Sequence, residues 1–184
     1  MNRNLLVLAI ILLAVTASNA VPLLEKRYTS YMQCPLKPTP PPTLYVSTYP
    51  DPLVAGETAT FYVKGKLSKP ATKGSALVIA FIDEYDKVVG DPFVLDICKD
   101  IEDVYCPISK FDAHGPVPIP YKLPSDYVAV VFIVDPTGKY VLACAAAVVG
   151  SGGGTSYLTS IDSNSNSTSS YLTYATTSDI TWTK

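Results

Sequence analysis

Asp83, Glu84 and Asp86 lie together, and Asp96, Asp100, Glu102 and Asp103 surround Cys98. Paired carboxylates can serve glycoside hydrolysis or hold calcium. Neither group has EF-hand spacing, and both sit in turns beside very apolar runs, whose ends they solubilise. The lone histidine, His114, lies in Asp112-Ala113-His114-Gly115-Pro116, which reads as a turn. A single loop imidazole removes most histidine-dependent catalysis and any multi-histidine metal site. No Ser or Cys stands in a nucleophile-elbow context. The chain therefore reads as a non-enzyme with no cofactor and no metal.

The four cysteines carry more information. In a secreted chain an even count reads as disulfides, with three possible pairings. Cys98 and Cys106 flank an acidic turn and could staple one loop. Cys34 begins the folded region and Cys144 lies in its last apolar run, so joining them would tie the two ends. There is no CxxC pair to suggest zinc.

The segments that must position these residues are bounded by processing signals and a tail. Arg3, the apolar run Leu5 to Val15 and the small residues Ser18-Asn19-Ala20 read as a secretory signal over 1–20. The run is about half the roughly 20 residues that a membrane-spanning helix needs. Lys26-Arg27 resembles a kexin- or furin-type cleavage site, which makes 21–27 a short propeptide. Removing 1–27 takes away Arg3, Glu25, Lys26 and Arg27, leaving 11 bases against 15 acids and a net charge of −4. That balance argues against nucleic acid as a partner. From Ser151 onward half of the residues are Ser or Thr, with only Asp162, Asp179 and Lys184 charged. Such a stretch buries too little apolar surface to offset its ordering entropy, so 151–184 reads as a disordered extracellular tail. Asn166-Ser167-Thr168 is an N-glycosylation sequon.

Residues 28–150 remain as the folded unit. Short β-rich runs recur there: Leu44–Tyr49, Thr58–Leu67, Ser75–Ile82, Asp86–Val89, Phe93–Cys98, Val117–Leu123, Tyr127–Val134 and Lys139–Val149. Turn signals separate them, and no segment has helical periodicity with caps. Pro118 and Pro120 place the sixth run at an edge or rim. The pattern predicts an all-β, immunoglobulin-like antiparallel β-sandwich, with a small barrel as the competing architecture. Ser75–Ile82 and Tyr127–Val134 scarcely alternate, so they are either doubly covered central strands or the walls of a surplus apolar interior.

The order of Pro50-Asp51-Pro52-Leu53-Val54-Ala55-Gly56-Glu57, Phe61-Tyr62-Val63-Lys64-Gly65-Lys66-Leu67, Lys73-Gly74, Cys98, Cys106-Pro107-Ile108, Tyr121-Lys122-Leu123-Pro124 and a hairpin into Cys144 resembles the ML lipid-recognition domain. The likeness spans about 44–149. Its nearest branch is the fungal phosphatidylglycerol/phosphatidylinositol transfer proteins, related to the Niemann-Pick type C sterol carrier. The resemblance implies two sheets parted around one lipid in an internal apolar pocket, and the pairings Cys34–Cys144 and Cys98–Cys106. Sterol-carrier members have a further early disulfide that is missing here, which slightly favours phospholipid over sterol. By family likeness and strand parity, the pocket face carries Phe61 and Val63 from one sheet and Val128, Val130, Phe132 and Val134 from the other. Leu53, Phe93 and Ile97 are expected at the mouth, with Lys99, Lys110 and Tyr127 as headgroup candidates. The implied partners are a phospholipid or sterol and, transiently, a membrane surface, for a monomer secreted or held in a vacuolar or lysosome-like lumen. The alternative is a secreted immunoglobulin-like module with a filled core. It would bind a cell-wall polymer or protein, and Tyr45, Tyr62 and Tyr121 are available as a platform.

Overall fold

A computed structural model describes residues 29–36, 38–150 and 182–183. The expected signal, the propeptide, Asn166 and all of the tail except Trp182 and Thr183 lie outside the described residues. Seven strands form: β1 (Tyr45–Tyr49), β2 (Thr58–Ala71), β3 (Ala76–Asp83), β4 (Phe93–Asp96), β5 (Ile108–Pro118), β6 (Tyr127–Val134) and β7 (Val141–Val149). They make two antiparallel sheets, β1-β2-β5 and β4-β3-β6-β7. The all-β sandwich is thus the observed fold.

Local chemistry explains most of the strands. β2 alternates, with Ala59, Phe61 and Val63 buried while Tyr62 and Lys64 face outward. β3 and β6 are the two inner strands of the larger sheet, each paired on both edges, and apolar side chains cover both of their faces. Doubly covered strands need not alternate. The β6–β7 hairpin turns at Asp135-Pro136-Thr137-Gly138, where Gly138 takes a left-handed φ of 68° that a side chain would oppose.

Three boundary expectations are corrected. His114 does not sit in a turn but in the middle of β5, paired with Tyr62. Gly115 and Pro116 hid the strand, yet Phe111, Ala113, Gly115 and Val117 alternate as its buried face. β5 has one edge outside its sheet's own ladders, where proline does no harm. The expected strand Val117–Leu123 is only the end of β5 and a loop, and Asp86–Val89 is a turn with a single bridge from Val88 to Ile82.

The N-terminal segment covers the free edge of β7, which would otherwise offer unpaired backbone groups. Met32 exchanges two backbone hydrogen bonds with Ala146, at 2.8 and 2.9 Å. The Cys144 N–H donates to the Pro42 carbonyl, and the Leu44 N–H donates to the Cys144 carbonyl. The disulfide Cys34–Cys144 closes beside these bonds, and Cys98–Cys106 staples the loop after β4. Both pairings agree with those that the resemblance implied.

Candidate functional site: the space between the sheets

The interior between the sheets is built from alternate residues of facing strands. Phe61 and Val63 come from β2, and Phe111, Ala113 and Val117 from β5. Leu77, Ile79 and Phe81 of β3 face them, with Ala129, Val131 and Ile133 of β6 and Ala143 and Ala145 of β7. Phe93 and Leu95 of β4 and the loop residues Leu53, Ile97 and Ile101 belong to the same cluster. The expected site residues Phe61, Val63, Leu53, Phe93 and Ile97 therefore belong to one apolar core cluster.

Val128, Val130, Phe132 and Val134 are not part of it. They lie on the opposite face of the sheet, clustered with Ala76, Val78, Cys144, Ala146 and Cys34, against which Leu36 packs. The register makes this unambiguous: Val131 pairs with Ile79 and Ala145, and Val130 pairs with Ala80 and Ala146. Side chains in a strand alternate with period 2, so an error of one residue moves a whole set to the other face. The inward set on β6 is Tyr127, Ala129, Val131 and Ile133.

Trp182 was missed altogether. Its indole is fully buried between the sheets, stacked on Phe93 with ring centroids 5.9 Å apart. Its Nε1–H donates to the Pro116 carbonyl at 3.3 Å. Its carbonyl accepts from the Glu102 N–H at 3.0 Å, and Thr183 exchanges two backbone bonds with His114 at 2.8 and 2.9 Å. Trp182 and Thr183 thus depart from the disordered reading of the tail. The one signal in the sequence was a solitary tryptophan within Ser/Thr-rich sequence, and composition does not say where such a residue docks.

Two phenols join the inter-sheet cluster. The hydroxyls of Tyr31 and Tyr127 are buried without a hydrogen-bond partner. Burial pushes the Tyr127 phenol up to about 12, with the Asp51 charge adding to the shift. Burial likewise raises the Tyr31 phenol, helped by Tyr127 and Asp51. The Asp51 carboxylate is held by the Thr29 N–H at 2.9 Å and by the Thr29 hydroxyl at 2.6 Å. Of the other headgroup candidates, Lys99 is exposed beside Asp100 at 3.9 Å, and Lys110 points away from the interior of β5.

The carboxylate groups work as turn caps. Asp83 accepts from the Tyr85 and Lys87 N–H groups, Asp96 from Cys98, and Asp100 from Asp96. Among the described residues no three His, Cys, Asp or Glu side chains gather as a metal site. Two clefts of about 420 and 340 Å³ open at the surface. One lies among the Asp83–Gly90 and Lys122–Asp126 loops. The other lies along Tyr45, Tyr62, Lys64 and His114 on the outside of the smaller sheet.

The model of the ML domain matches residues 28–149. No curated protein matches the chain at a significant level. Among solved structures, chicken MD-1 complexed with lipid IVa is 17% identical, with a TM-score of 0.42 over 65% of this chain and 86% of that one. A putative beta-galactosidase from Bacteroides fragilis is 16% identical, at 0.34 over 59% of this chain and 16% of that one. A calcium-binding mutant of beta-glucuronidase 2 from Bacteroides uniformis is 15% identical, at 0.32 over 58% of this chain and 13% of that one.

Proposed function

This chain belongs to the ML-domain family, and from that premise we propose that it binds one lipid between its two sheets and carries it between membranes without chemistry. The observation that carries this reading is the match of the ML domain across a unit whose two sheets meet in aliphatic and aromatic side chains. A lipid tail leaving a bilayer must exchange hydrocarbon for something equally apolar. At ~0.8 kcal/mol per CH₂, a roughly 16-carbon chain exposed to water costs about 12 kcal/mol. A dry interior removes most of that cost, and no covalent step is needed.

Phe61, Val63, Phe93 and Ile97 would contact the tail, together with Val131 and Ile133, which replace the outward set on β6. The hydroxyls of Tyr31 and Tyr127 would meet the polar end of the ligand. Leaving such donors buried and unpaired costs about 1–3 kcal/mol each, which an ester or phosphate oxygen would recover. The guest is a phospholipid or a sterol, with phospholipid preferred. The two disulfides suit an oxidising extracellular or lumenal compartment.

Native mass spectrometry of the purified protein tests this reading, with lipid extraction in parallel. One lipid mass per chain is expected. Val131→Trp should abolish loading, and Val130→Trp should keep it. Protein that carries no lipid and takes none from vesicles would remove the carrier reading.

One observation favours the alternative of a wall-polymer or protein binder. Tyr45 and Tyr62 are exposed on the outside of the smaller sheet, and Tyr62 stacks on His114 with centroids 5.2 Å apart. Sedimentation with insoluble cell-wall polysaccharide, lost in Tyr62→Ala, would support that use of the fold.

A further inference from the structure

We infer that Trp182 is a reversible plug, seated at the side of the sandwich where a lipid tail would pass between the sheets. The inference rests on the carrier reading above and names a control on the same site.

The two sheets leave a long side where β5 ends one sheet and β4 ends the other. Trp182 and Thr183 lie along that gap. Thr183 bridges to His114 on the outer edge of β5, and Trp182 bridges to Ile101 in the loop that follows β4. These two residues thus reach from one sheet to the other, and the indole points inward onto Phe93, a residue expected at the mouth.

The wall of the gap is shaped for this ring. A Cβ at Gly115 would overlap the Trp182 indole, so the absence of a side chain there makes the space. Gly115 is not in the left-handed region, so backbone conformation does not call for glycine at this position. The Pro116 carbonyl supplies the acceptor that a buried indole N–H requires.

In sequence, 31 residues separate Trp182 from Gly150. An acyl chain offers more apolar surface than one indole, so it can displace the ring. The tether lets the plug return without dilution. A carrier sealed this way keeps its interior dry when empty and opens when a tail competes.

Trp182 is the sole tryptophan, so its fluorescence reads the plug directly. In lipid-free protein with its C-terminal segment intact, emission should be blue and protected from acrylamide. Red, quenchable emission would overturn the inference before any lipid is added. Incubation with phosphatidylglycerol vesicles should turn the emission red and quenchable in proportion to the lipid retained, counted by native mass spectrometry after the vesicles are removed. Lipid retained with the indole still protected would sink the plug and leave the carrier intact.

Trp182→Ala and Gly115→Ala should both tighten apparent lipid affinity about tenfold, as expected when a closed state ten times more populated than the open one is removed. Gly115→Ala keeps the whole tail and should expose the indole even without lipid, so it serves if Trp182→Ala fails to fold. Unchanged affinity in a folded Gly115→Ala protein would overturn the inference. Failure of the native protein and both variants to take lipid would remove the carrier reading, and the plug with it.

Discussion

Along β6, Ala129, Val131 and Ile133 point at the other sheet, whereas Val128, Val130, Phe132 and Val134 point at the cluster around Cys34. The inward three are fully excluded from solvent, while Val128, Val130 and Phe132 keep 7–8% of their surface. Both faces are apolar, so hydrophobicity does not say which is the functional one. The inward face is closed by a second sheet and a tryptophan from the far end of the chain. The outward face is pinned by a disulfide. The outward set, three valines and a phenylalanine, is the more uniform in sequence, yet the interior belongs to the other.

The largest test of that difference is a charge on each face. Val131→Asp puts a carboxylate in a dry layer with no partner and should remove cooperative folding, a loss above about 4–5 kcal/mol. Val130→Asp stands one residue away but nearer water, and should cost about 2–3 kcal/mol and still fold. Urea denaturation measures both. Equal losses would erase the distinction between the faces.

The disulfides come next, because each serves a different face. Cys34–Cys144 closes a separation of 110 residues and Cys98–Cys106 one of 8. By loop-closure entropy the first contributes about 5 kcal/mol and the second about 2.5 kcal/mol. Replacing each pair with serine should reproduce that ratio in urea midpoints. The second replacement should also loosen Trp182, since Ile101 and Glu102 lie within the stapled loop and hold its backbone. Tryptophan emission reports that loosening. An unmoved emission spectrum would mean that the loop does not depend on its staple to receive the ring.

Much of this was legible in the residues. Turn chemistry and β-branched runs located β1, β2, β3, β4, β6 and β7, and Asp135-Pro136-Thr137-Gly138 located the last hairpin. β5 was hidden because Gly115 and Pro116 are turn formers in isolation, although its alternation from Phe111 to Val117 was there to be read. The parity of β6 was not readable from β6. A strand apolar on both sides carries no internal mark of which side faces its partner sheet, and the cross-strand pairs to Ile79 and Ala145 decide it. Trp182 was out of reach for another reason: its position depends on a gap between two sheet edges, which exists only once both sheets have formed.

A smaller effect separates Tyr127 from its aliphatic neighbours on the inward face. Its hydroxyl is buried without a partner, so Tyr127→Phe should raise stability at neutral pH by about 1 kcal/mol. The phenol's pKa in the folded protein, about 12, lies above the ordinary value of 10.0. The neutral form is therefore favoured by folding. Its contribution is complete below pH 10 and is lost as pH rises through about 12. Urea midpoints across that window should fall less steeply in Tyr127→Phe than in the native protein. Tyr31, raised in the same direction, leaves a residual slope. An identical alkaline limb in both proteins would mean that Tyr127 is not shielded as an inward residue must be.

The smallest effect concerns what keeps the two faces from exchanging. The β6–β7 turn fixes the register, and Asp135 fixes the turn by accepting from the Thr137 hydroxyl at 2.8 Å and the Lys139 and Tyr140 N–H groups at 3.1 Å. Burial pulls the carboxyl's pKa upward, but the hydrogen bonds from Tyr140, Thr137 and Lys139 outweigh it and hold it below the ordinary value of 3.8. A depressed folded pKa means the carboxylate's contribution is present above the unfolded value and is lost as pH falls through the folded one. Asp135→Asn should therefore flatten the acid limb of the stability curve by giving up, at neutral pH, the small contribution that a largely exposed turn carboxylate makes. Amide exchange along β6 is the sharper measurement. With Tyr127 still opposite Val149, protection of the strand should match the native pattern. A protection pattern displaced by one residue would mean that this turn alone decides whether Val130 or Val131 faces the interior.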